Sequence, residues 1–463
     1  MSTESDRLRQ YGVLVVLSLI TVLNQADRVI MSVAGEAVKI DLKLTDGQLG
    51  LLGGLAFTVL YSTMALPIAR LADRVDRWKL LSVCVLFWSA MTVACGAAKN
   101  FTHLFLARAG VGIGEAGCSP NTHSLIGDYF SAGSRTTAIA VLMGSISIGG
   151  LVGAVIGGQI VEHHGWRSSF LVMGAPGIVL AIICLLVFRD PFRDASSPDS
   201  KVDRYVPTLK EVLIILFRHR YWRHMFIAAA LVMVGSYSFA QFSAPFFVRR
   251  YSLGFGDAGL MYGLVMGVTG AIGGVIGGII CDKIPQWGMA RYGWVPAAGL
   301  IVSAPLFIIG FSQPDPWMAA AVIAPAALLK MLYMGPTFGM VQELVTARMR
   351  ATATALLFMT TGLVGGMGPM ITGFIIDYRA GTRFASLVDG DYAQLCPGGR
   401  AIAGAAEQVR AACWEALSSG TQQALVATSL IMLWAAGHYI YAGILMRREV
   451  PASGQTPAEP AAA

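Results

Sequence analysis

The sequence predicts an all-α membrane protein in which twelve transmembrane helices form two six-helix bundles, with both termini in the cytoplasm. Three observations predict it. Of 463 residues, 55% are hydrophobic and only 13% are charged, where soluble domains carry roughly 25% charged residues. Apolar windows of about 20 residues, long enough to cross the hydrocarbon core as helices, recur along the chain with polar breaks between them. The chemistry of those breaks also repeats once, half a chain later.

The expected spans are 11–34, 47–69, 79–98, 102–128, 136–161, 168–188, 223–248, 258–281, 293–312, 317–343, 350–376 and 421–446. Span one follows a polar leader with Arg7 and Arg9, and is too long and too charged at its far end for a cleaved signal core. It reads as a retained helix. Thr45-Asp46-Gly47-Gln48 opens span two as a capping box, Thr45 at the cap and Gln48 three residues on. Gly365, Gly366, Gly368 and Pro369 mark span eleven as breakable, a hinge. With both termini inside, most loop Lys and Arg residues fall on the cytoplasmic side, as the positive-inside rule requires. The net charge of +7 therefore reports topology, and nothing in the chain supports nucleic-acid binding.

The chain divides into an N-terminal bundle at 1–188, a cytoplasmic linker at 189–222, a C-terminal bundle at 223–446 and a proline- and alanine-rich tail at 447–463, expected to be disordered. In the linker, LKEVLIILFRHRYW reads as an amphipathic helix on the membrane face, with Arg218, Arg220 and Arg223 near anionic headgroups. The halves echo each other. Asp73-Arg74 after span two matches Asp282-Lys283 after span eight, 209 residues later; Arg135 at span five matches Arg350 at span eleven, 215 later. Parallel six-span repeats are a transporter design, in which two bundles rock about a midplane site.

Of the seven cysteines, Cys84, Cys95, Cys118, Cys184 and Cys281 lie in or at apolar segments and read as packing residues. Cys396 and Cys413 share the long outer connection 377–420, where a disulfide and two free thiols are both open. No Cys/His cluster has metal spacing, so no cofactor is expected.

The segment ARLADRVDRWKLL, residues 69–81, resembles the loop signature of the major facilitator superfamily, with Ala69 where that family usually has glycine. Gly165-Trp166-Arg167 with Phe170 is a further match, as is Gly149-x-x-x-Gly153-Ala154-x-x-Gly157-Gly158, which is similar to the antiporter glycine motif with alanine in place of its proline. LNQADRVIMSVAG in span one and ARAGVGIGEAGCSP in span four resemble the Asn-x-x-Asp-Arg and Arg-x-x-x-Gly-x-Gly-Glu-Ala elements of the spinster family. That resemblance implies an amphipathic lipid substrate of lysophospholipid or sphingosine-1-phosphate type, with proton coupling.

Asp27, Arg28, Arg108 and Glu115 lie inside apolar segments. Each costs at least about 2.5–3.5 kcal/mol on insertion scales, so they pair, face a water-filled cavity or work. Counting 1.5 Å per residue, Asp27, Arg28 and Arg108 fall at similar depth in the outer half, and Glu115 sits about two turns below Arg108 on nearly the same face. An Asp27–Arg108 contact follows. A phosphate matches the arginines bidentately, and a carboxylate that loses its arginine takes a proton. Glu115 is the first choice for that proton; a structural ion-pair network that fixes helix packing is the competing reading.

Asp73, Arg74 and Arg77 are expected to latch cytoplasmic helix ends. Asp46 has two readings: it favours the positive end of span two, or it gates the outer side by meeting Arg249 or Arg250. Asn24, Tyr237, Gln241, Lys330, Tyr333, Thr337, Met359 and Thr360 are candidate cavity-lining residues, with plain packing the alternative for any one of them. The partners expected are an amphipathic lipid, protons and the bilayer, with no nucleotide and no nucleic acid, for a multi-pass monomer in a bacterial inner membrane. Efflux of amphipathic drugs is the alternative transport reading. A lipid enzyme or a non-transporting sensor is more remote, since the chain has no Gly-x-Ser-x-Gly, no Walker sequence and no long soluble output domain.

Overall fold

The computed structural model describes residues 4–72, 74–188, 190, 209–346 and 349–449, and among these it is helical with no strand. Among the described residues ten helices are long and apolar enough to cross a membrane. Two physical breaks turn ten into twelve crossings. The helix Ala132–Val187 holds spans five and six, which part at Gly165, whose φ of 80° is a conformation that glycine alone adopts without strain. Span four is the shorter pair Phe101–Glu115 and Cys118–Tyr129, interrupted directly after Glu115.

The remaining spans are Glu4–Val33, Asp46–Ala72, Arg77–Gly96, Arg220–Tyr251, Phe255–Lys283, Pro285–Phe311, Pro316–Leu344, Arg350–Ala385 and Glu407–Glu449. Span two has its capping box: Gln48 N donates to Thr45 Oγ1 at 3.1 Å and Thr45 N donates to Gln48 Oε1 at 3.0 Å. Span eleven breaks at Gly366, within the expected hinge. Tyr11, Val15 and Leu19 make an exposed stripe at four-residue spacing on span one, the face a helix turns to hydrocarbon. Because lipid is as apolar as leucine, close approach holds such helices together more than hydrophobicity does. At Gly114 a Cβ would come within 2.7 Å of Trp88 Cβ, so glycine permits spans three and four to touch.

The contacts group the described residues into two units. The first is drawn from Met1–Val202, Ser236–Val268 and Gly366–Leu425; the second from Asp203–Gly235, Thr269–Gly365 and Val426–Ala463. This division cuts spans seven, eight, eleven and twelve, and the outer part of each joins the first six spans. In the second unit Ser303 Oγ donates to the Ala326 carbonyl at 2.8 Å, tying span nine to span ten. The linker helix forms at Leu209–Arg218 and buries Val212 and Leu216, four residues apart. The expected tail begins later than read: span twelve continues through Glu449, and 450–463 lie outside the described residues, as do 191–208 of the linker.

Much of the expected outer connection is also helical. Span eleven runs on to Ala385 and span twelve starts at Glu407, with a short helix at Tyr392–Leu395 between them. Cys396 and Cys413 are disulfide-bonded across a separation of 17 residues, packed with Ala380, Phe384, Ala412 and Ala416. A loop of that length stabilises by about 3 kcal/mol through restriction of the unfolded chain. The double variant Cys396→Ser/Cys413→Ser is expected to melt at a lower temperature in detergent, and a reductant should lower the native protein's melting to the same point. An unchanged melting temperature would show that the bond contributes nothing.

Candidate functional site

The four membrane-embedded charges meet in the first unit. Arg28 Nε donates to Glu115 Oε2 at 2.6 Å, and Arg108 Nη1 stands 4.0 Å from Asp27 Oδ1. Thr92 Oγ1 donates to Asp27 Oδ2. Glu115 is fully buried, Asp27 and Arg108 nearly so, while the Arg28 side chain keeps 28% of its surface. Neighbouring residues on a helix point about 100° apart, so Asp27 and Arg28 address different partners. Arg28 also lies over two rings, 4.6 Å from the Tyr61 centroid and 5.0 Å from that of Phe57, while Arg108 lies 5.5 Å from Phe57. Both arginines therefore lie over the Phe57 ring, whose π-system favours a cation.

Two cavities open around these groups. The larger, about 270 Å³, is lined by Gln25, Arg28, Val29, Ser32, Gly53, Phe57, Thr58, Arg108, Tyr237, Ala240, Gln241 and Tyr262. The smaller, about 100 Å³, is lined by Thr21, Asn24, Gln25, Arg28, Tyr61, Cys118, Ser119, Thr122, His123, Leu142, Met143 and Ile146. Arg28 and Gln25 border both. Arg108 Nε and Nη1 and Asp27 Oδ1 are buried and make no hydrogen bond. A buried donor left unsatisfied costs about 1–3 kcal/mol, and the Arg108 donors stand on the wall of the larger cavity with hydrogen-bonding capacity unused.

A second cluster lies at the outer end of the same unit. Arg249 Nη2 reaches Asp46 Oδ1 at 2.6 Å, its Nε donates to Glu36 Oε2 at 2.8 Å, and its Nη1 donates to Thr421 Oγ1 at 2.9 Å. Lys39 Nζ binds the other Asp46 oxygen at 2.6 Å. Asp377 accepts from the backbone N–H of Asp46 at 2.9 Å and of Gly47 at 2.8 Å. Of the two arginines expected to meet Asp46, Arg249 does so and Arg250 is exposed. Sequence reasoning missed Glu36, Lys39, Thr421 and Asp377. Glu36 and Lys39 sit on the helix Gly35–Leu42, which follows span one and reads as a plain polar connection.

At the cytoplasmic end, Arg77 binds span four and the start of the linker. Its Nε donates to Asp190 Oδ2 at 2.6 Å, and Nη1 reaches Asp128 and, at 2.8 Å, Ser124 Oγ. Arg74 is exposed, and Asp73 lies outside the described residues. Of the expected cavity residues, Tyr237 and Gln241 line the larger cavity and Asn24 the smaller. Lys330, Tyr333, Thr337, Met359 and Thr360 belong to the second unit. There Thr337 Oγ1 is joined to Tyr439 Oη at 2.7 Å, and Thr360 Oγ1 donates to the Leu356 carbonyl of its own helix at 2.6 Å.

Twelve crossings built from two repeats, with two arginines on the wall of a cavity and their acidic partners buried beside them, define a membrane transporter. The chain belongs to the major facilitator superfamily, whose sequence profile matches residues 17–385. Within it the chain is spinster-like. It superimposes with a TM-score of 0.85 and 29% identity on crystal structures of a bacterial homologue of the human lysosomal transporter spinster, solved inward-facing both unoccupied and occupied, covering 99% of this chain and all of that one. It is 29% identical over 80% of its length to an MFS-type efflux pump of Mycolicibacterium smegmatis, covering 85% of the pump. Mouse protein spinster homolog 1 is 27% identical over 79% of this chain and 72% of its own length. These relatives are transporters and not enzymes, and the chain is an integral inner-membrane protein.

Proposed function

We propose that the protein carries amphipathic lipids with an anionic head group, of lysophospholipid or sphingosine-1-phosphate type, across the inner membrane by alternating access coupled to protons. The observation that carries this reading is the position of Arg28, which borders both cavities and holds Glu115. A phosphate entering the larger cavity meets Arg28 and the unpartnered donors of Arg108. Engaging Arg28 takes from Glu115 its hydrogen-bonded partner at full burial, and a proton neutralises the carboxylate. Loss of the proton restores the pair and expels the head group. Phe57, Val29, Tyr237 and Tyr262 offer the lipid an apolar wall beside the charged one. In this reading Asp46 and Arg249 gate the outer side, Arg77 with its loop acts at the cytoplasmic ends, and one chain suffices.

The second reading, efflux of cationic amphiphiles, is favoured by the buried acids Asp27 and Glu115 and by the likeness to the mycobacterial pump. Proteoliposomes separate the two. With labelled lysophosphatidic acid, Arg108→Gln is expected to cut transport by at least about tenfold, the loss of one charge-assisted contact. A cationic amphiphile should be carried slowly and indifferently to that change. Rapid cation transport that survives Arg108→Gln, with no lysophosphatidic acid moved, would replace the lipid reading with the efflux one.

A further inference from the structure

The outer contacts of the first unit are doubled by the internal repeat. Glu162, at the outer end of span five, accepts from the backbone N–H of Gly256 at 2.6 Å. Asp377, on span eleven, accepts from that of Gly47 at 2.8 Å. Gly47 and Gly256 are 209 residues apart and each is the second residue of an eight-residue helix, Asp46–Gly53 in span two and Phe255–Tyr262 in span eight. Glu162 and Asp377 are 215 apart. These are the same offsets by which the two halves align.

The register extends to the packing beneath. Gly158 and Gly373, one turn before each carboxylate, are matched positions, and a Cβ on either would strike backbone across the crossing: the Phe255 carbonyl for Gly158 and the Asp46 carbonyl for Gly373. Gln159 and Phe374 are also matched, and each fills the space over the capped glycine, so that a Cβ on Gly256 or Gly47 would run into it. Span five therefore crosses span eight as span eleven crosses span two. Each crossing joins the N-terminal half of the sequence to the C-terminal half. Both carry a carboxylate on exposed helix N–H groups, where the helix dipole favours negative charge.

From this we infer that Glu162 and Asp377 are a symmetry-related pair of outer latches, and that both caps break when the outer end opens during transport. Neither residue touches the cavity, so they are positioning residues for the cycle and not for the substrate. The inference depends on the transporter fold alone and stands or falls separately from the lipid reading. Because each cap stabilises the closed outer end and has no counterpart once the spans part, removing one charge shifts the equilibrium towards opening. A carboxylate at a helix N-terminus shifts an equilibrium by about 3- to 10-fold.

Two reporter cysteines test it, read with a membrane-impermeant maleimide. Ser32→Cys, on the wall of the larger cavity, is labelled from the outside only when the outer end opens; Ser119→Cys, on the smaller cavity, is labelled from the cytoplasmic side in inverted vesicles. Outside labelling of Ser32→Cys should rise about 3- to 10-fold with Glu162→Gln, by a similar factor with Asp377→Asn, and by roughly the product in the double variant. Cytoplasmic labelling of Ser119→Cys should stay level or fall. Unchanged outside labelling in all three variants, or a rise with only one of the two, overturns the pair. A rise on both sides at once shows a loosened fold and also overturns it.

Discussion

Glu115→Gln should yield a carrier blind to the pH gradient. For one proton per cycle, each unit of gradient is worth about 1.4 kcal/mol, or tenfold in accumulation. With a one-unit gradient imposed on proteoliposomes, wild-type uptake of labelled lysophosphatidic acid should exceed the gradient-free level about tenfold, and the variant should show equal uptake in both conditions. Glutamine keeps the shape and a hydrogen-bonding oxygen for Arg28 but cannot cycle a proton, so exchange down the lipid's own gradient should survive. Arg28→Gln differs. It leaves Glu115, fully buried, with Arg108 as the remaining arginine of the site, and should abolish transport driven or undriven.

The largest effect on stability is expected at the outer cluster. Arg249, Glu36 and Asp46 are each about 1% exposed, and one guanidinium serves both carboxylates and Thr421. Breaking a buried pair from one side costs about 3–5 kcal/mol, because the partner's charge stays behind uncompensated. Arg249→Met strands Glu36 and leaves Asp46 with Lys39 alone. It should lower the melting temperature in detergent further than the loss of the disulfide does, and Glu36→Gln added to Arg249→Met should recover part of the loss. A melting temperature within error of the wild type would mean that the cluster is hydrated and weak.

Much of the fold was legible because span length and composition are set by the bilayer. Most of the expected intervals begin within a few residues of a helix or a break; the largest departure, span twelve, starts at Glu407 because its first turns extend beyond the apolar window that identifies a crossing. The charges of the site were legible as anomalies, and depth arithmetic brought Asp27 towards Arg108. The same arithmetic did not find the Arg28–Glu115 pair, since it places backbones and an arginine side chain reaches about a helical turn beyond its own. Lys39, Glu36 and Asp377 escaped notice for another reason. At the ends of spans a charge is ordinary, and only the partner across the crossing makes it informative. The repeat offset held that signal for Glu162 and Asp377, because the same spacing that aligned the loop motifs aligns the two carboxylates.

The central claim is that one proton and one anionic head group are taken up and released together, the head group at Arg28 and the proton at Glu115. The most direct measurement is proton movement itself: proteoliposomes loaded with a pH-sensitive dye, no imposed gradient, and lysophosphatidic acid added outside while its transport is followed by label. Wild type should show a lumenal pH change in step with the lipid, and Glu115→Gln should move lipid with the dye silent. Lipid transport by the wild type at full rate with no change in lumenal pH would contradict the account.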